Sequence, residues 1–198
     1  MKDTERIVED GSSRMDVRRR PEERDGRSYS LKTLFLVRHA KSSWKDPGLP
    51  DLLRPLNKRG RRDAPMMGRR LARRGFEVEL ILSSPATRAQ QTAEALAEEL
   101  LYPWDEIVTE EDLYEADAEE ILAVIKKQDE WIDSLMVVGH NPGMTSLANY
   151  LGRADFENVP TTGVLQLRYD IETWSDIDAM EPTTVSFDCP KGQPLEGM

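Results

Sequence analysis

The chain has 198 residues and a formal net charge of −10, with an isoelectric point near 4.8. Its hydrophobic fraction of 38% suffices for one folded domain with a real core, and no apolar run approaches a membrane span. The acidic balance argues against nucleic acid and membrane surfaces as partners, so any anion site must be a local concentration of positive charge.

Residues 1–30 mix Arg, Asp, Glu, Gly and Ser with almost no apolar side chains. Such a segment buries too little to order itself, and it reads as a flexible extension before a domain over residues 31–198. No apolar stretch follows the charged start, so no secretory signal is read, and the expectation is a cytoplasmic protein. Cys189 is the only cysteine, which excludes an intrachain disulfide and a cysteine-based zinc site.

From Leu34 onward, apolar strands alternate with helical patterns. Residues 34–37 (Leu-Phe-Leu-Val) form a short continuous apolar run, as in a strand buried on both faces. Residues 57–74 read as a helix with Ala64, Met67 and Leu71 on one face and Gly75 as its stop, although Gly60 and Pro65 weaken its first half. Its arginine pairs read as a solvated face, without the interleaved aromatics that base stacking needs. Residues 78–82 predict the next strand. Ser84 then reads as an N-cap with Pro85 at the first helical position, and Ala89, Ala93, Leu96 and Leu100 line the helix's inner face.

A short strand is predicted near residues 106–109. Asp117 and Glu120 have the spacing of a capping box before Ile121, Leu122 and Ile125. Residues 135–138 predict a third buried strand, 143–151 a helix ending at Gly152, and 163–169 a last clear strand; the tail beyond Trp174 carries no clear pattern. The rhythm predicts a three-layer α/β/α fold with a mostly parallel central sheet. In such folds ligands bind beyond the carboxyl ends of the strands.

Three predicted strands end in chemistry. The first delivers Arg38 and His39, the second Ser83-Ser84-Pro85-Ala86-Thr87-Arg88, and the third Gly139-His140-Asn141. These are the only two histidines in the chain. If the strands are parallel neighbours, two arginines, two imidazoles and a helix start share one rim, which suits a dianionic phosphoryl group. A neutral imidazole can attack phosphorus with one ring nitrogen while the other donates to a backbone carbonyl. Arginines then spread the charge of the phosphoryl oxygens, and no metal or other cofactor is required. No carboxylate or cysteine sits at ligand spacing to either histidine, so the expectation is no metal site.

Val37-Arg38-His39-Ala40-Lys41-Ser42-Ser43-Trp44, Arg54-Pro55-Leu56-Asn57-Lys58-Arg59-Gly60, Ser83-Ser84-Pro85-Ala86-Thr87-Arg88-Ala89-Gln90-Gln91-Thr92 and Val138-Gly139-His140-Asn141-Pro142 stand in this order. Together they resemble the histidine phosphatase superfamily, phosphoglycerate-mutase-like in fold, and within it the small phosphohistidine phosphatase (SixA-like) branch. The resemblance spans about residues 33–190, with Ala40 where the superfamily usually has Gly. It implies His39 as the phosphorylated nucleophile, with Arg38, Arg88 and His140 completing the phosphate pocket. Arg54 is implied at the pocket mouth, and Asn141 is a further substrate-binding candidate.

Larger members of the superfamily use an acid to protonate the leaving oxygen, and Glu115 is the candidate for that role here. The smallest phosphohistidine phosphatases lack such an acid, which fits chemistry in which an imidazole leaves from a P–N bond. The implied activity is a metal-independent phosphatase, with a phosphohistidine on a protein as substrate. A small-molecule phosphomonoesterase is the rival within the enzyme class, and a catalytically silent phosphate- or phosphohistidine-binding module the rival outside it.

Overall fold

The computed structural model describes residues 31–192, so the extension expected over residues 1–30 lies outside the described residues. Six strands form one sheet: β1 Leu31–Arg38, β2 Leu80–Ser83, β3 Val108–Thr109, β4 Ser134–Gly139, β5 Val164–Asp170 and β6 Thr184–Asp188. Their order across the sheet is β3-β2-β4-β1-β5-β6. The first four are mutually parallel, whereas β5 runs antiparallel to β1, and β6 antiparallel to β5. The expected α/β/α architecture is present, and the sheet gains an antiparallel margin that hydrophobic runs alone do not distinguish.

Four helices cover the sheet: α1 Lys58–Arg73, α2 Thr87–Leu100, α3 Ala118–Lys126 and α4 Gly143–Gly152. Successive strand residues point to opposite faces, which divides the core in two. Phe35, Val37, Met136 and Val138 pack with Met67 and Leu71 of α1 and Ala89, Ala93 and Leu96 of α2. Leu34, Leu36, Leu135 and Val137 pack with Ile121 and Ile125 of α3 and Leu147 and Leu151 of α4. Both strand faces are therefore dry, as the continuous apolar runs require. Among the described residues, no helix is long and apolar enough to cross a membrane.

Local signals set most boundaries. Asn57 caps α1 by accepting the Gly60 N–H at 2.9 Å, and the helix runs through both Gly60 and Pro65. A side chain at Gly60 would bring its Cβ to 2.4 Å from the Lys41 carbonyl oxygen, so glycine lets α1 lie against the loop after β1. Gly75, at φ +69°, turns the chain out of the helix. Asp117 and Glu120 form the expected capping box on α3.

Most strand and helix ends shift by a residue or more from the sequence reading, and β1 begins three residues early, at Leu31. β2 starts at Leu80 rather than Val78. The helix after β2 starts at Thr87, with Ala86 rather than Ser84 as N-cap. The Ser84 N–H still bonds the Val138 carbonyl at 3.0 Å, so the chain has not yet left the sheet at that residue.

Candidate active site

The sheet order places β4 between β1 and β2, so the carboxyl ends of these three strands meet on one rim. The ladder continues past their last residues: the His39 N–H bonds the Gly139 carbonyl at 3.0 Å, and the Ser84 N–H bonds that of Val138. Because β5 is antiparallel, its start also lies on this rim. The Arg38 N–H bonds the Gly163 carbonyl at 3.1 Å, and the Thr162 N–H bonds that of Arg38 at 3.0 Å. Arg38 and His39 are thus fixed from both sides by backbone.

His39 and His140 come together, with ring centroids 5.0 Å apart and planes tilted by 54°. His39 Nδ1 lies 2.7 Å from the Ala40 carbonyl oxygen. A carbonyl only accepts, so this nitrogen carries the proton, and Nε2 presents a lone pair. Burial pushes the His39 pKa from 6.5 down to about 4. The hydrogen bond to Ala40 opposes that shift, and the charges of Arg88, Arg38 and Arg54 add to it. His140 is lowered further, to about 3, by burial first and then by the charges of His39 and Arg88. Both imidazoles are neutral at physiological pH.

His140 Nε2 lies 2.7 Å from Ser84 Oγ. That hydroxyl accepts from the Ala86 N–H at 3.3 Å and is free to donate to the ring. Tyr114 stands edge-on to His140 at a centroid distance of 5.7 Å. Arg38 reaches the Asn158 side chain at 3.0 Å and the Val159 carbonyl at 2.6 Å. The Asn141 amide nitrogen shares both acceptors, at 2.7 Å and 3.2 Å. Asn141 therefore joins Arg38 to the loop before β5. Its Oδ1, Arg38 Nε and His140 Nδ1 are buried and find no hydrogen-bond partner among the described residues.

Arg88, in the first turn of α2, is buried. Its Nη1 donates to the Asp51 main-chain carbonyl at 2.7 Å, and its Nη2 lies 2.8 Å from Asp51 Oδ2. Arg54 is also buried. Its Nε donates to the Ser43 carbonyl at 3.0 Å, its Nη2 to Ser42 Oγ at 2.7 Å, and its Nη1 to Asp51 Oδ1. The exposed Trp44 ring lies over the Arg54 guanidinium, 3.2 Å from ring centroid to Cζ. Arg54 thus sits near the site with each guanidinium nitrogen making one bond to protein, and its terminal nitrogens keep further N–H groups.

Glu115 follows Tyr114, but its side chain is exposed and its backbone is left-handed, at φ +54°. The structure does not bring it into contact with His39 or His140.

Sequence reasoning missed three contributors. Thr92 Oγ1 accepts the Ala40 N–H at 2.9 Å and donates to the Arg88 carbonyl at 2.6 Å, joining the residue after His39 to α2. Tyr114 contacts His140 and donates its O–H to Asp51 Oδ2 at 3.1 Å. Asp51 joins Arg54, Arg88 and Tyr114. Its spacing of three residues from Arg54 hints at a local ion pair, but its bond to Arg88 spans 37 residues and leaves no local signal.

A sequence model of the histidine phosphatase superfamily (branch 1) matches residues 34–155, which include Arg38, His39, Arg88 and His140. An uncharacterised protein of Mycobacterium tuberculosis is 31% identical over 165 residues, covering 78% of this chain and all of the relative. A solved structure from Agrobacterium tumefaciens, named for the phosphohistidine phosphatase SixA, is 34% identical with a TM-score of 0.63. It covers 69% of this chain and 91% of that one. The protein histidine phosphatase SixA complexed with tungstate has the same fold, with a TM-score of 0.68 at 22% identity over 80% of this chain and 97% of that one. With its matched segment carrying both imidazoles and both arginines to one sheet edge, the chain belongs to the histidine phosphatase superfamily, branch 1, and is a phosphatase.

Proposed function

We propose that this phosphatase acts through a covalent phosphohistidine on His39, without a metal, and that its substrate is a phosphohistidine on a protein. The observation that carries the reading is the His39 Nδ1 contact to the Ala40 carbonyl, which leaves Nε2 a free base beside Arg38, Arg88 and His140. Nε2 attacks phosphorus in line, and the bond from phosphorus to the leaving group breaks. Arg38 and Arg88 meet the charge on the equatorial oxygens, with His140 as a further phosphoryl ligand. Water then attacks the phosphorus on His39, the P–N bond breaks, and orthophosphate leaves.

The leaving group points to the substrate class. Glu115 faces solvent, and the Tyr114 phenol is pushed above its ordinary pKa by burial and by Asp51. Neither stands ready to protonate a leaving alkoxide: Glu115 points away and the Tyr114 O–H is already donated to Asp51. An imidazole leaving from a P–N bond needs less protonation, which favours phosphohistidine over an alkyl phosphomonoester. The likeness to proteins named for SixA supports the same substrate.

The test is a substrate panel with a phosphohistidine protein, an aryl phosphate and common alkyl phosphomonoesters. Turnover is expected to survive EDTA, to disappear in His39→Ala and to pass through an acid-labile phosphoenzyme in rapid quench. EDTA-sensitive turnover, or turnover retained in that variant, refutes the mechanism. A marked loss on alkyl phosphates in Glu115→Gln would restore Glu115 as the acid and favour a phosphomonoesterase.

A further inference from the structure

We propose that Asp51 is a positioning residue of the phosphate site: it holds the Arg88 guanidinium at the angle from which Arg88 meets the phosphoryl oxygens. This rests on the reading of Arg88 as a phosphoryl ligand and adds the residue through which that arginine is aimed. Asp51 opens the short 3-10 turn Asp51–Leu53 between β1 and α1, and its side chain is 40% exposed. A carboxylate so placed has solvent available, yet both of its oxygens are committed to protein. Oδ1 takes Arg54, and Oδ2 takes both Arg88 and the Tyr114 hydroxyl.

The order of anchoring gives the direction of control. Arg54 is fixed independently by Ser42, Ser43 and Trp44. Arg54 and Tyr114 then fix the Asp51 carboxylate, and Asp51 fixes Arg88. Both terminal nitrogens of Arg88 are held, one by the carboxylate and one by the main-chain carbonyl of the same residue. That carbonyl belongs to the turn and cannot swing aside as a free side chain would. Each terminal nitrogen carries two hydrogens, so both bonds to Asp51 leave Arg88 with further N–H groups to donate.

The competing reading makes Asp51 a resident anion that phosphate must displace. It accounts for the carboxylate contact but not for the carbonyl contact, nor for the commitment of Asp51 to Arg54 and Tyr114. A carboxylate held on two arginines also stays ionised: burial raises its pKa, but Arg54, Arg88 and Tyr114 together bring it below the ordinary value.

The test uses Asp51→Asn and Asp51→Ala in the full chain, with orthophosphate binding by titration calorimetry, aryl phosphate turnover, and thermal melting as a check on folding. Misplacing a guanidinium by about 1 Å predicts about 100-fold losses in orthophosphate affinity and in kcat/KM for the alanine variant, with asparagine intermediate. If Asp51 acts through Arg88, the same alanine change in an Arg88→Ala background costs less than about 3-fold, because coupled residues do not add. A general structural role would cost the same in both backgrounds.

Tighter orthophosphate binding in Asp51→Asn would identify a competing anion and overturn the proposal. So would full additivity with Arg88→Ala, or unchanged binding and turnover. If the alanine variant does not melt cooperatively, the asparagine variant carries the same double-mutant comparison. A wild type that binds orthophosphate without hydrolysing any substrate would refute the catalytic reading alone, since the calorimetric cycle still decides Asp51.

Discussion

Acidification should leave both imidazoles of the site uncharged well below the pH at which a free histidine titrates. The perturbation is a titration from about pH 8 to about pH 4.5 in the absence of substrate. Burial is the main cause at both rings. At His39 the charges of Arg88, Arg38 and Arg54 reinforce it, and the Ala40 hydrogen bond opposes it, for a pKa of about 4. At His140, burial and the neighbouring His39 bring the pKa to about 3. At about pH 5.5, a ring with a pKa of about 4 is about 97% free base, whereas an unperturbed imidazole is only about 9% free base.

Ring-resonance NMR reads this directly, because the chain has only two histidines and both belong to the site. Neither ring should show an inflection between about pH 8 and pH 5.5. Turnover corrected for substrate ionisation should keep its nucleophile over the same range. Stability follows the same sign. The unfolded chain takes up a proton on each ring near 6.5, while the folded chain does so only near 4 and 3. Acid therefore favours the unfolded state in that window. The rings' contribution is complete above about pH 6.5 and is lost as pH falls through about 4 and then about 3. An inflection near 6.5 in either ring, or stability that rises on acidification below it, would refute the buried, arginine-flanked site.

Two substitutions test the scaffold around the site. Thr92→Val keeps side-chain shape but removes the acceptor of the buried Ala40 N–H, and should cost about 1–3 kcal/mol in urea denaturation. It should also lower turnover, since Thr92 ties the residue after His39 to the Arg88 carbonyl; an unchanged midpoint would show that the N–H finds another partner. Gly143→Ala would bring a Cβ to 2.1 Å from the Ala116 carbonyl oxygen at the start of α4, three residues after His140. Backbone must move to relieve that contact, so a loss of roughly 1–3 kcal/mol or more is expected by thermal or chemical melting, and a neutral result would refute the close approach.

What the sequence disclosed depended on how locally each feature is encoded. His39 and His140 were legible because each ends a short continuous apolar run of the kind a buried strand makes, and parallel strands deliver their carboxyl ends to one rim. Arg88 was legible because the Ser-Pro turn places it in the first turn of α2. Ser84 was misread because its best local use is to cap that helix. In the fold its main chain is still paired with β4 and its hydroxyl faces His140, so a tertiary contact overrides the local preference. The antiparallel sense of β5 was invisible, since a strand with both faces buried has the same composition in either direction. The β6 strand pairs only with β5 and is mostly half-buried, which leaves it little hydrophobic pattern. Asp51 lies furthest from local encoding: its spacing from Arg54 hints only at a local ion pair, while Arg88 and Tyr114 reach it from segments 37 and 63 residues away. The groups proposed for the chemistry were thus readable from strand ends and a helix start, while the group proposed to aim Arg88 meets its partners only when the loops pack over the rim.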